Sequence, residues 1–209
     1  MNRPLLVLLV VSCSTNLIQA QTFDFEEQPH AVLTSVVSTV GGVTLTATST
    51  FDSGFVFSYP PPPSLASQLG ERFLVGLQTE DIKTDGFAPL RMDFSVPLIS
   101  LSLNALDGGG DDDGTVRIRA FNSSGMELAS DSQAYPADFS EIITLSVTAP
   151  GFSYIIADSF GGPSNFNSVN WDNVMVVAVP EPSSCVLAVV LTAFSTFTWR
   201  IRRSHRPWT

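Results

Sequence analysis

The sequence predicts an all-β fold, an antiparallel β-sandwich of the jelly-roll type, flanked by an N-terminal signal peptide and a single C-terminal transmembrane helix. Apolar and polar residues alternate with a period of two in many short runs, as in strands with one buried and one wet face. Turn residues separate the runs, and no segment has a convincing helical period with caps. An immunoglobulin-like topology is the alternative, without its usual disulfide. The pattern is clearest in residues 23–26, 43–48, 99–104, 116–119 and 143–148.

The turns between these runs follow from glycine, proline and aspartate. Gly41-Gly42 lies between two valines and predicts a two-residue hairpin. The prolines of 60–63 exclude both helical and ladder hydrogen bonds, so they predict a loop. Asp107–Gly114 is the most polar stretch, and we interpret it as a solvated hairpin loop between Leu103 and Val116. Its four close carboxylates leave cation binding open, although their spacing does not fit an EF-hand.

Charge separates the middle of the chain from its end. Residues 21–179 hold 19 acidic and five basic residues, a net charge of −14. The last 30 residues hold four arginines and one glutamate, a net charge of +3. A strongly negative domain repels phosphate backbones, so nucleic acid is a poor partner for it. Calcium and neutral polymers such as polysaccharide are better candidates.

The cysteine and histidine inventory excludes further classes. Cys13 and Cys185 both lie in the end segments, so the middle domain has no thiol and no internal disulfide. It also has a single histidine, His30. Thiol catalysis and Cys/His zinc sites are therefore excluded for residues 21–179.

Residues 1–20 have the pattern of a secretory signal peptide. Arg3 precedes an apolar run over residues 5–11, and a small residue, Ala20, ends the polar stretch that follows. The run is far shorter than the about 20 apolar residues that span a bilayer. We expect cleavage after Ala20. The alternative is a bacterial lipobox at residues 10–13, in which Cys13 is lipidated and becomes the N-terminus.

The C-terminal segment, residues 180–209, combines a short motif with a hydrophobic stretch. Cys185–Trp199 carries no charge, and as a helix it is about 22 Å long, so flanking residues and snorkelling arginines must extend it across a bilayer. The basic end at 200–206 stays on the cytoplasmic side by the positive-inside rule. The chain then crosses the membrane once, with its acidic domain outside.

Three parts of this segment together resemble the PEP-CTERM sorting signal of Gram-negative and related bacteria. They are the Pro180-Glu181-Pro182 motif, the hydrophobic stretch Cys185–Trp199, and the arginines Arg200, Arg202 and Arg203. The resemblance covers about 30 residues and implies that an exosortase-type membrane protease recognises the tail. It also implies export to the cell envelope, cell surface or extracellular matrix of a bacterium that makes exopolysaccharide.

The two ends of the middle domain carry a second resemblance, at the level of the fold. Phe23-Asp24-Phe25-Glu26 and the segment 169–174 resemble the terminal strands of jelly rolls of the carbohydrate-binding-module type. Asp24 and Glu26 are two apart, so both side chains are expected on one face of a strand. The resemblance implies that Asp172 approaches them from the other terminal strand, and that the three carboxylates bind a structural calcium ion.

Aromatic residues and carboxylates suggest two further roles. We expect most rings to lie in the core, whereas Tyr59 and Tyr135, beside prolines in predicted loops, are candidates for stacking on sugars. A glycoside hydrolase needs two carboxyl groups about 5–10 Å apart. With 19 acids in residues 21–179, some pair meets that condition by chance, and no spacing selects one.

The sequence therefore favours an exported, non-enzymatic cell-surface or matrix protein that is sorted through its tail and binds exopolysaccharide. A secreted carbohydrate-active hydrolase with paired carboxylates is the alternative from another class. A matrix protein without a small ligand is a third interpretation.

Overall fold

A computed structural model describes residues 19–50, 55–59, 72–78, 88–107, 114–134, 142–160 and 169–179, with the backbone alone at 57–59 and 107. They belong to one compact unit, Gln19–Val179. Residues 1–18 of the predicted signal peptide and the whole predicted sorting tail lie outside the described residues. Within the described part, no helix is long and apolar enough to cross a membrane.

The described residues form eleven strands, all paired antiparallel, which confirms the predicted all-β antiparallel class. β1 begins at Ala20, the residue after which the sequence predicts cleavage. The strands are β1 (Ala20–Phe23), β2 (Ala31–Leu33), β3 (Val36–Val40), β4 (Val43–Ser49), β5 (Phe55–Tyr59), β6 (Phe73–Leu77), β7 (Leu90–Asp107), β8 (Thr115–Phe121), β9 (Glu127–Ala134), β10 (Ile143–Phe160) and β11 (Val169–Ala178).

The predicted hairpin at Gly41-Gly42 is confirmed. Val40 pairs with Val43 across the turn, and the two glycines have φ angles of 56° and 84°. Positive φ at both central positions defines the turn whose twist matches that of the flanking strands, and glycine adopts it without strain.

Two long strands connect the two halves of the sandwich. The first part of β7, residues 90–98, pairs with the last part of β10, whereas residues 98–105 of β7 pair with the first part. The register shifts between Thr148 and Tyr154, where Gly151 has a φ of 72°. Such irregularities let a strand bend from one sheet into the other. One half therefore has the order β3-β4-β7-β10-β8-β9, and the other contains β2, β5, β6, β11 and β1 beside the remaining parts of β7 and β10.

One continuous core lies between the halves. Alternate residues point into it, as in β10, where Ile143, Leu145 and Val147 are buried and the threonine and serine between them are exposed. The cluster also holds Phe152 and Trp171. A smaller cluster of Phe73, Val75 and Leu77 packs on the other side of β6.

Two expectations about connections are wrong. β7 and β8 are not a hairpin, because β10 lies between them and pairs with both; the segment Asp107–Gly114 joins two strands that are not neighbours. Tyr59 is not in a loop, because it ends β5 and pairs with Phe73. Alternation within a run predicts a strand, but it does not predict which strand becomes its neighbour.

Candidate functional site

The first candidate site lies where the two ends of the domain pair. β1 runs antiparallel to β11, with Phe23 opposite Val174, so the predicted approach of Asp172 from the other terminal strand fits the pairing. The premise that Asp24 and Glu26 share a strand face is wrong, since β1 ends at Phe23. Both follow in a turn in which the N–H of Glu26 donates to Asp24 Oδ1 at 3.4 Å.

The backbone at this junction is distorted on both sides. Phe25 and Asn173 are the two non-glycine residues with positive φ in the described part of the chain, at 56° and 49°. The β11–β7 register shifts between Asp172 and Met175, which is a bulge. Strained residues of this kind persist only where the surrounding structure holds them in place, and they are most common at functional sites.

Asp172 is the buried acidic residue of the junction. Its side chain is 1% exposed; Oδ2 accepts a hydrogen bond from Asn173 Nδ2 at 3.1 Å, and Oδ1 has no partner among the described residues. Burial raises the pKa of Asp172 to about 8; a hydrogen bond from the backbone N–H of Asn173 opposes the rise, and the carboxylates of Glu26 and Asp24 add to it. A cation bound beside it would therefore stabilise the ionised form.

The three carboxylates are close enough to influence one another, yet they do not form a preassembled cage. Within the described residues, no three Asp, Glu, His or Cys side chains are grouped tightly enough to hold a metal ion as they stand. Glu26 is also engaged, since its Oε1 accepts the N–H of Arg72 at 3.4 Å. A hard oxygen site for calcium at this junction requires Asp24 and Glu26 to turn towards Asp172.

A second candidate site, which the sequence analysis missed, is a sheet face turned away from the core. It lies on three neighbouring strands, β7, β10 and β8, and we call it the arginine–aromatic face. The register pairs Tyr154 with Phe121, Ile156 with both Arg119 and Arg91, and Asp158 with Arg117. Its residues are Arg91, Asp93, Arg117, Arg119, Phe121, Tyr154, Asp158 and Phe160.

Ion pairs order the cations of this face. Asp158, 8% exposed, accepts two hydrogen bonds from Arg117, from Nε at 2.9 Å and from Nη2 at 2.8 Å, and a third from Arg119 Nη2 at 2.9 Å. Arg91 forms a two-point pair with Asp93 at 2.7 Å. The hydrogen bonds that Arg91 and Arg117 donate to these carboxylates raise the pKa of both arginines. Arg91 and Arg117 thus stay charged.

The rings of the face stack on these cations and on each other. The guanidinium carbon of Arg91 lies 3.8 Å from the centre of the Tyr154 ring, and Tyr154 stacks on Phe121 at 5.0 Å and 8°. Arg119 lies 5.6 Å from the centre of Phe121, and Arg117 lies 4.6 Å from that of Phe160, a ring that is 44% exposed. Cation–π contacts of this kind fix the guanidinium planes.

The remaining predicted site residues lie wholly or partly outside the described part of the chain. Only the backbone of Tyr59 is described, and Tyr135, the sorting motif and the membrane-stop arginines lie outside the described residues. A cavity of about 110 Å³ lies beside the arginine–aromatic face, between Pro89, Ser159 and Trp171. It is smaller than the roughly 300–1,000 Å³ of small-molecule sites, so the face is the larger surface on offer.

No protein-family model and no curated protein match the chain. Solved structures are similar in fold. The K1 cleaved adhesin domain of Lys-gingipain from Porphyromonas gingivalis W83 aligns over 78% of this chain and 99% of its own, at 10% identity and a TM-score of 0.48. CsCBM6-3 from Clostridium stercorarium, in complex with cellobiose, aligns over 64% and 93%, at 15% identity and a TM-score of 0.33. The arabinose-bound MgGH51 α-L-arabinofuranosidase aligns over 77% and 27%, at 11% identity and a TM-score of 0.40. At these values the similarities carry no argument about a ligand or an activity.

Proposed function

We propose that this chain is an exported, non-enzymatic protein of the bacterial cell surface or extracellular matrix, and that its jelly-roll-like domain binds polysaccharide through the arginine–aromatic face. The supporting observation is the composition of that face. Residues 21–179 contain five basic residues, and three of them, Arg91, Arg117 and Arg119, converge here beside exposed Phe160. Charged N–H donors held flat next to rings suit the hydroxyl-rich surface of a sugar chain.

The carboxylates of the face favour binding over hydrolysis. Asp93 is paired with Arg91, and Asp158 is shared by Arg117 and Arg119. The general acid of glycoside hydrolysis must donate a proton to the leaving group, whereas both carboxylates of the face accept hydrogen bonds from guanidinium groups. These two residues therefore position the cations.

The binding test compares two exposed apolar residues on different surfaces. The full chain is run through native gels that contain individual polysaccharides, and retardation is measured. Phe160→Ala is expected to lower retardation, whereas Met175→Ala, at a residue 45% exposed outside the face, is expected to leave it unchanged. Equal retardation of all three proteins on every polysaccharide that binds would refute the assignment of the face.

The sorting tail is the second part of the proposal. Pro180-Glu181-Pro182, the following hydrophobic stretch and its arginines would be recognised by an exosortase-type protease, with the membrane as a partner until processing. Mass spectrometry of both termini of the native protein tests this part. Cleavage near Glu181 supports it, and an intact C-terminus at Thr209 in the exported protein contradicts it.

A structural calcium ion at Asp24, Glu26 and Asp172 is the third part. It is supported by the unpartnered, buried Oδ1 of Asp172 and by the two further carboxylates that act on it. A bound calcium ion would neutralise the junction of β1 with β11 and thereby stabilise the native state. Calcium is expected to raise the melting temperature of the full chain, and EGTA to reverse the rise. Identical melting curves with calcium and with EGTA at pH 8.5 would exclude the site.

One observation supports the hydrolase alternative, the raised pKa of Asp172, since a general acid needs a carboxyl group that is protonated near neutral pH. Against it stands the 1% exposure of that side chain, which leaves a substrate no access to it. Release of reducing sugar that Asp172→Asn abolishes would favour the hydrolase.

A further inference from the structure

Charge is distributed unevenly between the arginine–aromatic face and the rest of the domain. Residues 21–179 have a net charge of −14, whereas the face brings three arginines together with two aspartates. Arg91 and Asp93 balance each other one to one. Asp158 alone faces two guanidinium groups, those of Arg117 and Arg119, so one positive charge is left over around it.

The two arginines around Asp158 retain unused hydrogen-bonding capacity. Asp158 engages Nε and Nη2 of Arg117 but only Nη2 of Arg119. Arg119 Nε is buried and has no hydrogen-bond partner among the described residues, so the donors left for a ligand are Nη groups; the side chains of Arg117 and Arg119 are 32% and 27% exposed. A guanidinium fork pairs best with a planar carboxylate, which accepts two parallel N–H bonds.

The ring faces are less available than the N–H donors. Tyr154 lies between the guanidinium of Arg91 and the ring of Phe121, and Arg119 lies over Phe121. A sugar therefore cannot stack on Tyr154 without displacing one of these neighbours. The chemistry that the face offers outwards is that of charged donors, with Phe160 as the exposed ring at its end.

We infer that the ligand of this face is an acidic polysaccharide whose sugar carboxylates bind Arg117 and Arg119. This inference rests on the proposed function and narrows its ligand class. Glu127 is the next carboxylate that acts on Arg117, and it would repel a ligand carboxylate bound there. Because Glu127 is exposed, solvent and salt weaken this repulsion. A ligand carboxylate would neutralise the one positive charge of Arg117 and Arg119 that Asp158 does not balance.

The experiment uses two forms of one polymer, polygalacturonate and the same polymer with its carboxyl groups methyl-esterified, in buffer without divalent cations. The full chain is expected to bind the acid form roughly tenfold or more tightly than the ester, because only the acid form offers carboxylates that accept charge-assisted hydrogen bonds. Arg117→Gln and Arg119→Gln are each expected to reduce this preference. Glu127→Gln is expected to strengthen binding of the acid form alone, because it removes a repelling charge.

Arg72→Gln is the matched control, since it removes the same charge from the residue just before β6, outside the face. Melting temperatures show whether each variant is folded. Equal binding of acid and ester, or a preference that Arg117→Gln and Arg119→Gln leave intact, overturns the inference while the proposed function stands. Binding to neither polymer, with retention on other, neutral polysaccharides, also overturns the inference alone. Binding to no polysaccharide at all overturns both.

Discussion

The replacement Asp172→Asn tests the electrostatics of the junction between β1 and β11. The substitution keeps the size and shape of the side chain but removes a carboxylate that is 1% exposed and has one oxygen without a partner among the described residues. The buried negative charge is unfavourable, so removing it is expected to stabilise the fold wherever Asp172 would otherwise ionise.

The size of the effect follows from the pKa of Asp172, which rises from 3.8 to about 8 in the fold. Between these two values the folded chain binds one proton more than the unfolded chain. The free energy of unfolding therefore falls as the pH rises from about 4 to 8, by about 1.4 kcal/mol per pH unit from this group. At pH 7 the accumulated loss is about 4 kcal/mol, a large share of the about 5–15 kcal/mol that stabilises a typical domain.

The assay is urea unfolding of the full chain at half-unit steps from pH 4 to 9, in EGTA. The variant is expected to lose this slope and to be the more stable protein at pH 8, with near equality at pH 4. Glu27→Gln is the control, because it removes an exposed carboxylate of the same turn and should leave the slope in place. Parallel pH profiles for the native chain and Asp172→Asn would refute the argument. With calcium, the native chain is expected to regain stability above pH 8, since the ion binds the ionised carboxylate.

Two further predictions concern packing and the ion pairs. Gly76→Ala should destabilise the fold by about 1–3 kcal/mol, because a Cβ there would overlap the backbone carbonyl oxygen of Ala88. Gly42→Ala, whose Cβ meets nothing within 4 Å, should cost only about 1 kcal/mol through its positive φ. Equal losses of the two variants in urea unfolding would contradict this contrast. Asp158→Asn should lower the free energy of unfolding by about 1–3 kcal/mol, since it weakens hydrogen bonds to two arginines. The double variant Asp158→Asn with Arg117→Gln should lose less stability than the sum of the two single losses, and strictly additive losses would count against the shared pair.

Local patterns predicted the strands well because each strand is a local pattern of burial. The alternation of Val43, Leu45 and Ala47 matches the buried face of β4. The prediction was wrong in phase at Ile99, which is half-buried, whereas Leu98, Leu101 and Leu103 are buried. β7 changes its pairing at Leu98, so the two-residue period is interrupted there. A bend of this kind depends on the partner strands, which the period does not contain.

The arginine–aromatic face was missed because it is assembled from distant parts of the chain. Tyr154 meets Phe121 and Arg91 through the register of β10 with β8 and β7, and no local spacing encodes that register. A signal was nevertheless present. Arg117 and Arg119 alternate with buried Val116 and Ile118, which places two of the few cations of an acidic domain side by side on one wet face.

The proposed acidic polysaccharide would be repelled by the whole domain at long range and attracted by the arginines at short range, and salt screens the long-range repulsion first. The net charge of −14 repels a polyanion over distances set by the Debye length, about 30 Å at 0.01 M salt and about 8 Å at 0.15 M. Contacts between a ligand carboxylate and Arg117 or Arg119 are shorter than either length, so they are screened much less. Moderate salt should therefore strengthen binding of an acidic polymer before high salt weakens it, whereas a neutral polymer should bind almost independently of salt. Affinity measured from 0.01 to 1 M sodium chloride tests this, and a steady fall from the lowest salt would mean that the negative charge of the domain does not reach the ligand at the face.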